Sequence, residues 1–231
     1  MKMTRTTAVS ALAVTALALA PVFAGDIVGK VKYAGTAPAP AKIQVTKDQA
    51  VCGKAEHIDE SLLVGPDKGI KNVVVNISDP KDGKKYTPPA KPTLDQNGCK
   101  FVPHVDIVPA GAEVTIVNSD GILHNIHTFP KNNPQFNKAQ PKFKKEMPAT
   151  FEKPDVIQIK CDVHSWMAGW IVVAGHAYYA LTDASGNFKI EGVPAGTYTI
   201  EYWQEKLGKQ SKSVTVPATG PVTADFEYPA K

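Results

Sequence analysis

The sequence predicts an all-β protein organised as β-sandwiches. Glycine (17 residues) and proline (19 residues) are frequent, and much of the proline separates short β-branched runs. Strand-like segments recur at short intervals with turn residues between them. No stretch carries the 3.6-residue period of a long amphipathic helix. The 231 residues suit one or two domains, and 43% hydrophobic with 21% charged residues is an ordinary globular balance.

The elements follow in order. Lys2 and Arg5 precede a largely apolar run over 8–20, and Val22-Phe23-Ala24 has the small-x-small form of an export cleavage site. A signal peptide over 1–24 and a mature chain in the periplasm are therefore expected, with no membrane span after cleavage. Asp26 to Tyr33 is a strand candidate, Ala34 to Ala41 a proline-rich turn, and Asn72 to Ile77 a compact strand. Asp79 to Pro92 reads as a loop. Phe101, Val105 and Ile107 share one strand parity, with His104 and Asp106 on the other. Pro109-Ala110-Gly111 is a turn, and Glu113 to Asn118 a strand. Pro130 to Pro154 is long and rich in lysine, and reads as a solvated excursion. Val156 to Cys161 and Gly169 to Ala174 are strands. Short strands then follow at Phe188 to Ile190, Thr197 to Trp203, Val214 to Val216 and Val222 to Phe226.

Charge and cysteine content narrow the function. The formal charge of +4 falls by two when Lys2 and Arg5 are removed. Arg5 is the only arginine, so forked guanidinium recognition of phosphate is absent from the mature chain, and nucleic acid is not an expected partner. The three cysteines, Cys52, Cys99 and Cys161, are an odd number for an exported chain. Two can pair, and a metal gives the third a reason to stay reduced. Cys-x-x-Cys-His, His-Glu-x-x-His and Gly-x-Ser-x-Gly are all missing, which excludes covalent haem and the simplest hydrolase readings.

The densest chemistry lies in Cys161-Asp-Val-His164-Ser-Trp-Met167, between two strands. Soft sulfur with imidazole selects copper over hard cations. A trigonal copper site needs a second imidazole. His124 or His127 can supply it, but their spacing of three puts them on opposite strand faces.

These residues resemble the cupredoxins, the small blue-copper electron carriers, and the loop spacing is most similar to amicyanin. Asn118 to Asn125 fits that family's Asn-x5-His-Asn pattern. The resemblance covers roughly residues 97–175. It implies a Greek-key sandwich over 96–175 with one type 1 copper held by His124, Cys161, His164 and Met167. It also implies that Asn125 braces the ligand loops, where Asp162 replaces the family's usual Ser or Thr, and that His164 is the electron portal at the loop surface. Cys52 and Cys99 are then expected to form a disulfide tying the N-terminal segment to the copper domain. Secondary candidates are His104 and His127 for a further metal and Trp166 for a docking patch. Trp170 is expected in the core, and His57 and His176 in structural roles.

Tyr179-Ala-Leu-Thr-Asp-Ala-Ser-Gly-Asn-Phe188 and Val193-Pro-Ala-Gly-Thr-Tyr198 resemble the carboxypeptidase regulatory-like domain, a transthyretin-like sandwich without chemistry of its own. Gly29-Lys-Val31 and Asn72 to Ile77 suit its opening strands. A discontinuous second sandwich over 25–95 and 176–231 is therefore expected. The functional expectation is a periplasmic single-electron carrier, not an enzyme. The resemblance implies a c-type cytochrome or a periplasmic dehydrogenase as partner. The alternative is a copper-binding or delivery protein without redox turnover.

Overall fold

The computed structural model describes residues 24–80 and 82–230. The export segment expected over 1–24 lies outside these residues except for Ala24.

The fold is all-β, in two sandwiches. In the first, one sheet orders the strands Asn137–Gln140, His124–Phe129, Asp155–Lys160, Ala168–Ala174 and Val105–Pro109. The facing sheet orders Glu146–Thr150, Glu113–Asn118, Thr93–Gln96 and Phe101–Val102. The alternation in Asp155–Lys160 shows why these segments form strands: Ile157 and Ile159 point into the core while Gln158 and Lys160 face away. Leu94, Val114, Ile116, Ile126 and Ile171 complete this core, together with Cys161 and Met167.

The second sandwich draws on both ends of the described chain. Ala24–Tyr33 pairs antiparallel with Asn187–Pro194 and parallel with Val222–Thr223 and Phe226–Tyr228. The opposing sheet orders Tyr179–Leu181, Val74–Ile77, Gly196–Gln204 and Gly208–Val216. Ile27, Val31, Val75, Ile200, Tyr202 and Tyr228 fill the space between. The turn before Asn187 needs glycine at 186, because its φ is 81° and a Cβ there would lie 2.4 Å from the Val31 carbonyl oxygen.

The two sandwiches share a buried seam of Val74, Val105, Ile107, Val172 and Ala174. Trp170 of the first meets Trp203 of the second edge to face, with centroids 4.9 Å apart. The Glu205 carboxylate accepts hydrogen bonds from the Trp170 indole at 2.8 Å and His104 Nε2 at 2.5 Å.

Four expectations need correction. Phe101 to Ile107 is not one strand: the chain passes from the four-stranded to the five-stranded sheet at Pro103, which has no N–H for a ladder. Residues 130–154 are not a simple solvated excursion but contain the strands Asn137–Gln140 and Glu146–Thr150. Lysines hid the period-two burial of Met147, Ala149 and Phe151. The boundary expected between 95 and 96 cuts the strand Thr93–Gln96, which pairs with Glu113–Asn118 in the first sandwich. Finally, Cys52 packs into the first core with Val45 and Val51 beside it, so this part of 25–95 belongs against the metal-site sandwich.

Candidate metal centre

The strand register places the candidate ligands at one end of the first sandwich. Lys160 pairs with His127, so Cys161 leaves its strand beside the start of His124–Phe129. The loop back to Ala168 is closed on itself. The Cys161 N–H donates to the Met167 carbonyl at 3.1 Å, and the Met167 N–H to the His164 carbonyl at 2.9 Å. A turn at Gly121 (φ 67°) leads the chain into His124.

Three donor atoms converge. His124 Nδ1 lies 3.9 Å from Cys161 Sγ, His164 Nδ1 lies 3.8 Å from it, and the two Nδ1 atoms are 3.0 Å apart. Both imidazoles are fully buried, and Cys161 is 2% exposed. Donors about 2.0–2.3 Å from one small ion are at most about 4.3 Å apart, so this set fits a single shared metal. Its thiolate and imidazole chemistry suits copper. Met167 is buried in the same core as Cys161.

Carboxylates fix the tautomers. His124 Nε2 donates to Asp120 at 2.8 Å, and His164 Nε2 donates to Asp48 at 2.8 Å. Each ring thus turns its Nδ1 toward Cys161. Lone pairs 3.0 Å apart repel, so a proton or a metal ion belongs between them. Burial alone would lower the His124 pKa. The Asp120 carboxylate and the Cys161 sulfur outweigh it and push the imidazole up to about 9. Burial likewise opposes the Cys161 thiolate, yet hydrogen bonds from His124 and the loop amides hold the thiol below its ordinary value. Burial keeps His164 below the usual imidazole range.

Asn125 holds the ligand loop. Its Oδ1 accepts the amides of Asp162 at 2.7 Å and Val163 at 3.2 Å, as well as the Cys161 thiol at 3.3 Å. Its Nδ2 donates to Asp162 at 3.2 Å. Asp162 also accepts from Asn137 at 2.6 Å and meets His127 Nδ1 at 3.2 Å. The aspartate therefore joins the bracing network in place of a hydroxyl.

The disulfide Cys52–Cys99 is present, with Cα atoms 5.4 Å apart. It sits between the two carboxylates. Asp48 lies four residues before Cys52. Asp120 accepts the amides of Gly98 at 2.6 Å and Cys99 at 2.8 Å. Each half of the bridge thus anchors a partner of one ligand histidine.

This arrangement overturns the expected surface portal at His164: the ring is fully buried and its outer nitrogen is capped by Asp48. Trp166 is half-buried beneath the same cap. Its indole N–H donates to the Cys99 carbonyl at 3.2 Å, and its ring lies 5.1 Å from His164. One side of the Trp166 ring thus packs inward toward His164, while the residue keeps partial exposure. Trp170 is half-buried at the seam between sandwiches.

The structure does not bring His104 and His127 together. His104 is committed to Glu205, and His127 to Asp162 and to Gln135 at 2.9 Å. Among the described residues, neither belongs to a group able to hold a metal. A second grouping, Cys99 with Asp120 and His124, has its sulfur in the disulfide. Sequence reasoning missed Asp120, Asp48 and Glu205. Asp120 carried a signal, four residues before His124; Asp48 and Glu205 reach their partners from 116 and 101 residues away.

No curated protein matches the chain. Residues 169–228 match the model of the carboxypeptidase regulatory-like domain, although the first strand of that stretch, Ala168–Ala174, lies in the five-stranded sheet of the metal-site sandwich. Among solved structures, a purple cupredoxin from Nitrosopumilus maritimus is 22% identical, covering 36% of this chain and 98% of its own, with a TM-score of 0.31. An oxidized amicyanin mutant is 19% identical, covering 43% and 97%, with a TM-score of 0.33. A copper-containing nitrite reductase from Thermus scotoductus is 26% identical over 42% of this chain, which spans only 25% of that enzyme (TM-score 0.33). The chain is thus similar to cupredoxins over about two fifths of its length and to the carboxypeptidase regulatory-like domain over its C-terminal strands.

Proposed function

We propose that this protein is an exported carrier of single electrons with one type 1 copper held by His124, Cys161, His164 and Met167. The observation that carries the reading is the convergence of two buried Nδ1 atoms on Cys161 Sγ, at 3.8 and 3.9 Å, with both outer nitrogens fixed by carboxylates. Copper bound there supplies a one-electron couple. The protein holds the donors still. Asn125 grips the start of the ligand loop at Asp162 and Val163, Asp120 and Asp48 lock the ring orientations, and the closed loop keeps Met167 beside Cys161. A donor set fixed in this way reorganises little on electron transfer. The disulfide supports an oxidising compartment such as the periplasm. Full burial of both histidines supports retention of the metal over its delivery to another protein. The redox partner is proposed as a c-type cytochrome or a periplasmic dehydrogenase.

Titration with Cu(II), followed by visible and EPR spectra beside Cys161→Ser, tests the reading. The expected result is an intense thiolate-to-copper band at one equivalent that bleaches reversibly and is lost in the variant. A weak tetragonal spectrum indifferent to the variant would refute it and favour copper handling without redox turnover.

A further inference from the structure

The metal centre is closed on the His164 side, so electrons need another way in and out. Four large hydrophobic side chains are exposed among the described residues: Val102, Leu123, Phe129 and Phe143. Two of them belong to one surface beside the metal centre. Leu123, 46% exposed, immediately precedes the ligand His124, and Phe143, 86% exposed, projects from the turn that follows Gln140.

Asn118 staples these two loops together. Its side-chain amide donates to the Ile122 carbonyl at 2.8 Å and to the Gln140 carbonyl at 2.9 Å, and its N–H donates to the Lys145 carbonyl at 2.8 Å. The Pro141 carbonyl accepts the Lys144 N–H at 2.8 Å and closes the turn that carries Phe143. The Lys145 ammonium lies over Gly121, 3.8 Å from where a Cβ would be. An apolar tip is thus held rigidly in water next to a ligand, which costs solvation unless something covers it.

The surrounding charge says what kind of partner fits. Lys142, Lys144 and Lys145 are exposed, and among the described residues none of the three forms an ion pair. Lys138 lies nearby over the Phe136 ring, 4.9 Å from its centroid. The acids of the metal end lie mostly elsewhere: Asp48 is held on His164 and Asp162 in the network of Asn125, Asn137 and His127. Glu146 is exposed, Asp95 accepts the Ser119 hydroxyl at 2.8 Å, and Asp120 is committed to His124 and two amides.

We propose that the face formed by Leu123, Phe143, Lys142, Lys144 and Lys145 is the docking surface for a redox protein with an acidic surface, and that electrons pass through Leu123 and His124. The proposal rests on the electron-carrier reading above. The lysines steer the encounter, and Phe143 and Leu123 form its dry centre.

The test uses the copper-loaded mature chain and two soluble c-type cytochromes, one acidic and one basic around the haem edge. Stopped-flow rates are followed against ionic strength. The acidic cytochrome is expected to react at least about tenfold faster at low salt, with the advantage lost as salt rises. The triple variant Lys142→Glu, Lys144→Glu, Lys145→Glu should lower its rate by about tenfold or more and reverse the salt slope. Phe143→Ser should lower the rate at high salt too. A control with equal charge change, Lys32→Glu, Lys71→Glu, Lys85→Glu, should move the rate little. An intact copper spectrum with rates unmoved by the patch variant, moved equally by the control, or absent with both cytochromes overturns the docking surface alone. Failure of the wild type to show the thiolate–copper band overturns the electron-carrier reading and this proposal with it.

Discussion

Replacing each outer carboxylate by its amide should weaken copper binding unequally, and the structure gives the order. Asp120→Asn and Asp48→Asn each remove a charged acceptor from an Nε2–H at 2.8 Å. Loss of such a partner costs about 10–100-fold in metal affinity, or about 1.4–2.8 kcal/mol at 1.4 kcal/mol per decade. The Asp120 side chain is 6% exposed, whereas that of Asp48 is 39% exposed. Water can partly replace Asp48 but not Asp120. Asp120 also receives three donors, from Gly98, Cys99 and His124, so the NH2 group of an asparagine must face one of them. Asp120→Asn is therefore expected near the 100-fold end and Asp48→Asn near the tenfold end. Competition for Cu(I) with a chromophoric chelator measures both. Equal losses, a larger loss at Asp48, or losses below about threefold in both variants (well under the range for such partners) would refute the reasoning.

Other outcomes follow from the same geometry. Copper must displace a proton from His124, whose pKa is raised above 6.5 to about 9. Affinity should therefore rise by at least about tenfold per pH unit below that value, more steeply where the Cys161 thiol also gives up its proton. An affinity that falls or stays flat from pH 6 to 8 in chelator competition would count against a protonated His124. Cys52→Ser with Cys99→Ser removes a cross-link of sequence separation 47, worth about 4 kcal/mol in the chain-entropy account. Denaturant unfolding should show a loss of that order, and a loss under about 1 kcal/mol, at the bottom of the range for disulfides, would contradict a role as clamp. Glu205→Ala strips His104 and Trp170 of their acceptor at the seam and should cost about 2–3 kcal/mol. Faster proteolysis between the sandwiches would accompany that cost, and unchanged stability would show that the seam does not depend on this carboxylate.

Much of this architecture is local in the sequence and so could be read from it. Strands such as Asp155–Lys160 and Glu113–Asn118 declare themselves by alternation, and the Cys161 to Met167 loop by ligand spacing. Segments whose strand character depends on partners were illegible. Asn137–Gln140 is polar and becomes a strand only because His124–Phe129 offers its edge. Met147, Ala149 and Phe151 alternate correctly, but the lysines before them suggested solvent. The metal centre divides in the same way. Its ligands and Asn125 lie in two short stretches, while Asp48 arrives from a distant loop held by the disulfide and by the packing of Val45 and Val51. That long-range contact buries His164, which short-range reasoning had put at the surface.

The nested layout of the two sandwiches has a consequence for biogenesis. Ala24–Tyr33 is the first described strand, but its neighbours Asn187–Pro194, Val222–Thr223 and Phe226–Tyr228 are among the last to be synthesised. Until they arrive, that strand presents unpaired edges, a hazard for association between chains. The strands from Thr93 to Ala174 are consecutive and can assemble first, around their own core. The metal-site sandwich can then serve as a scaffold on which the outer strands close, and their pairing across long sequence separations is the intrinsically slower step.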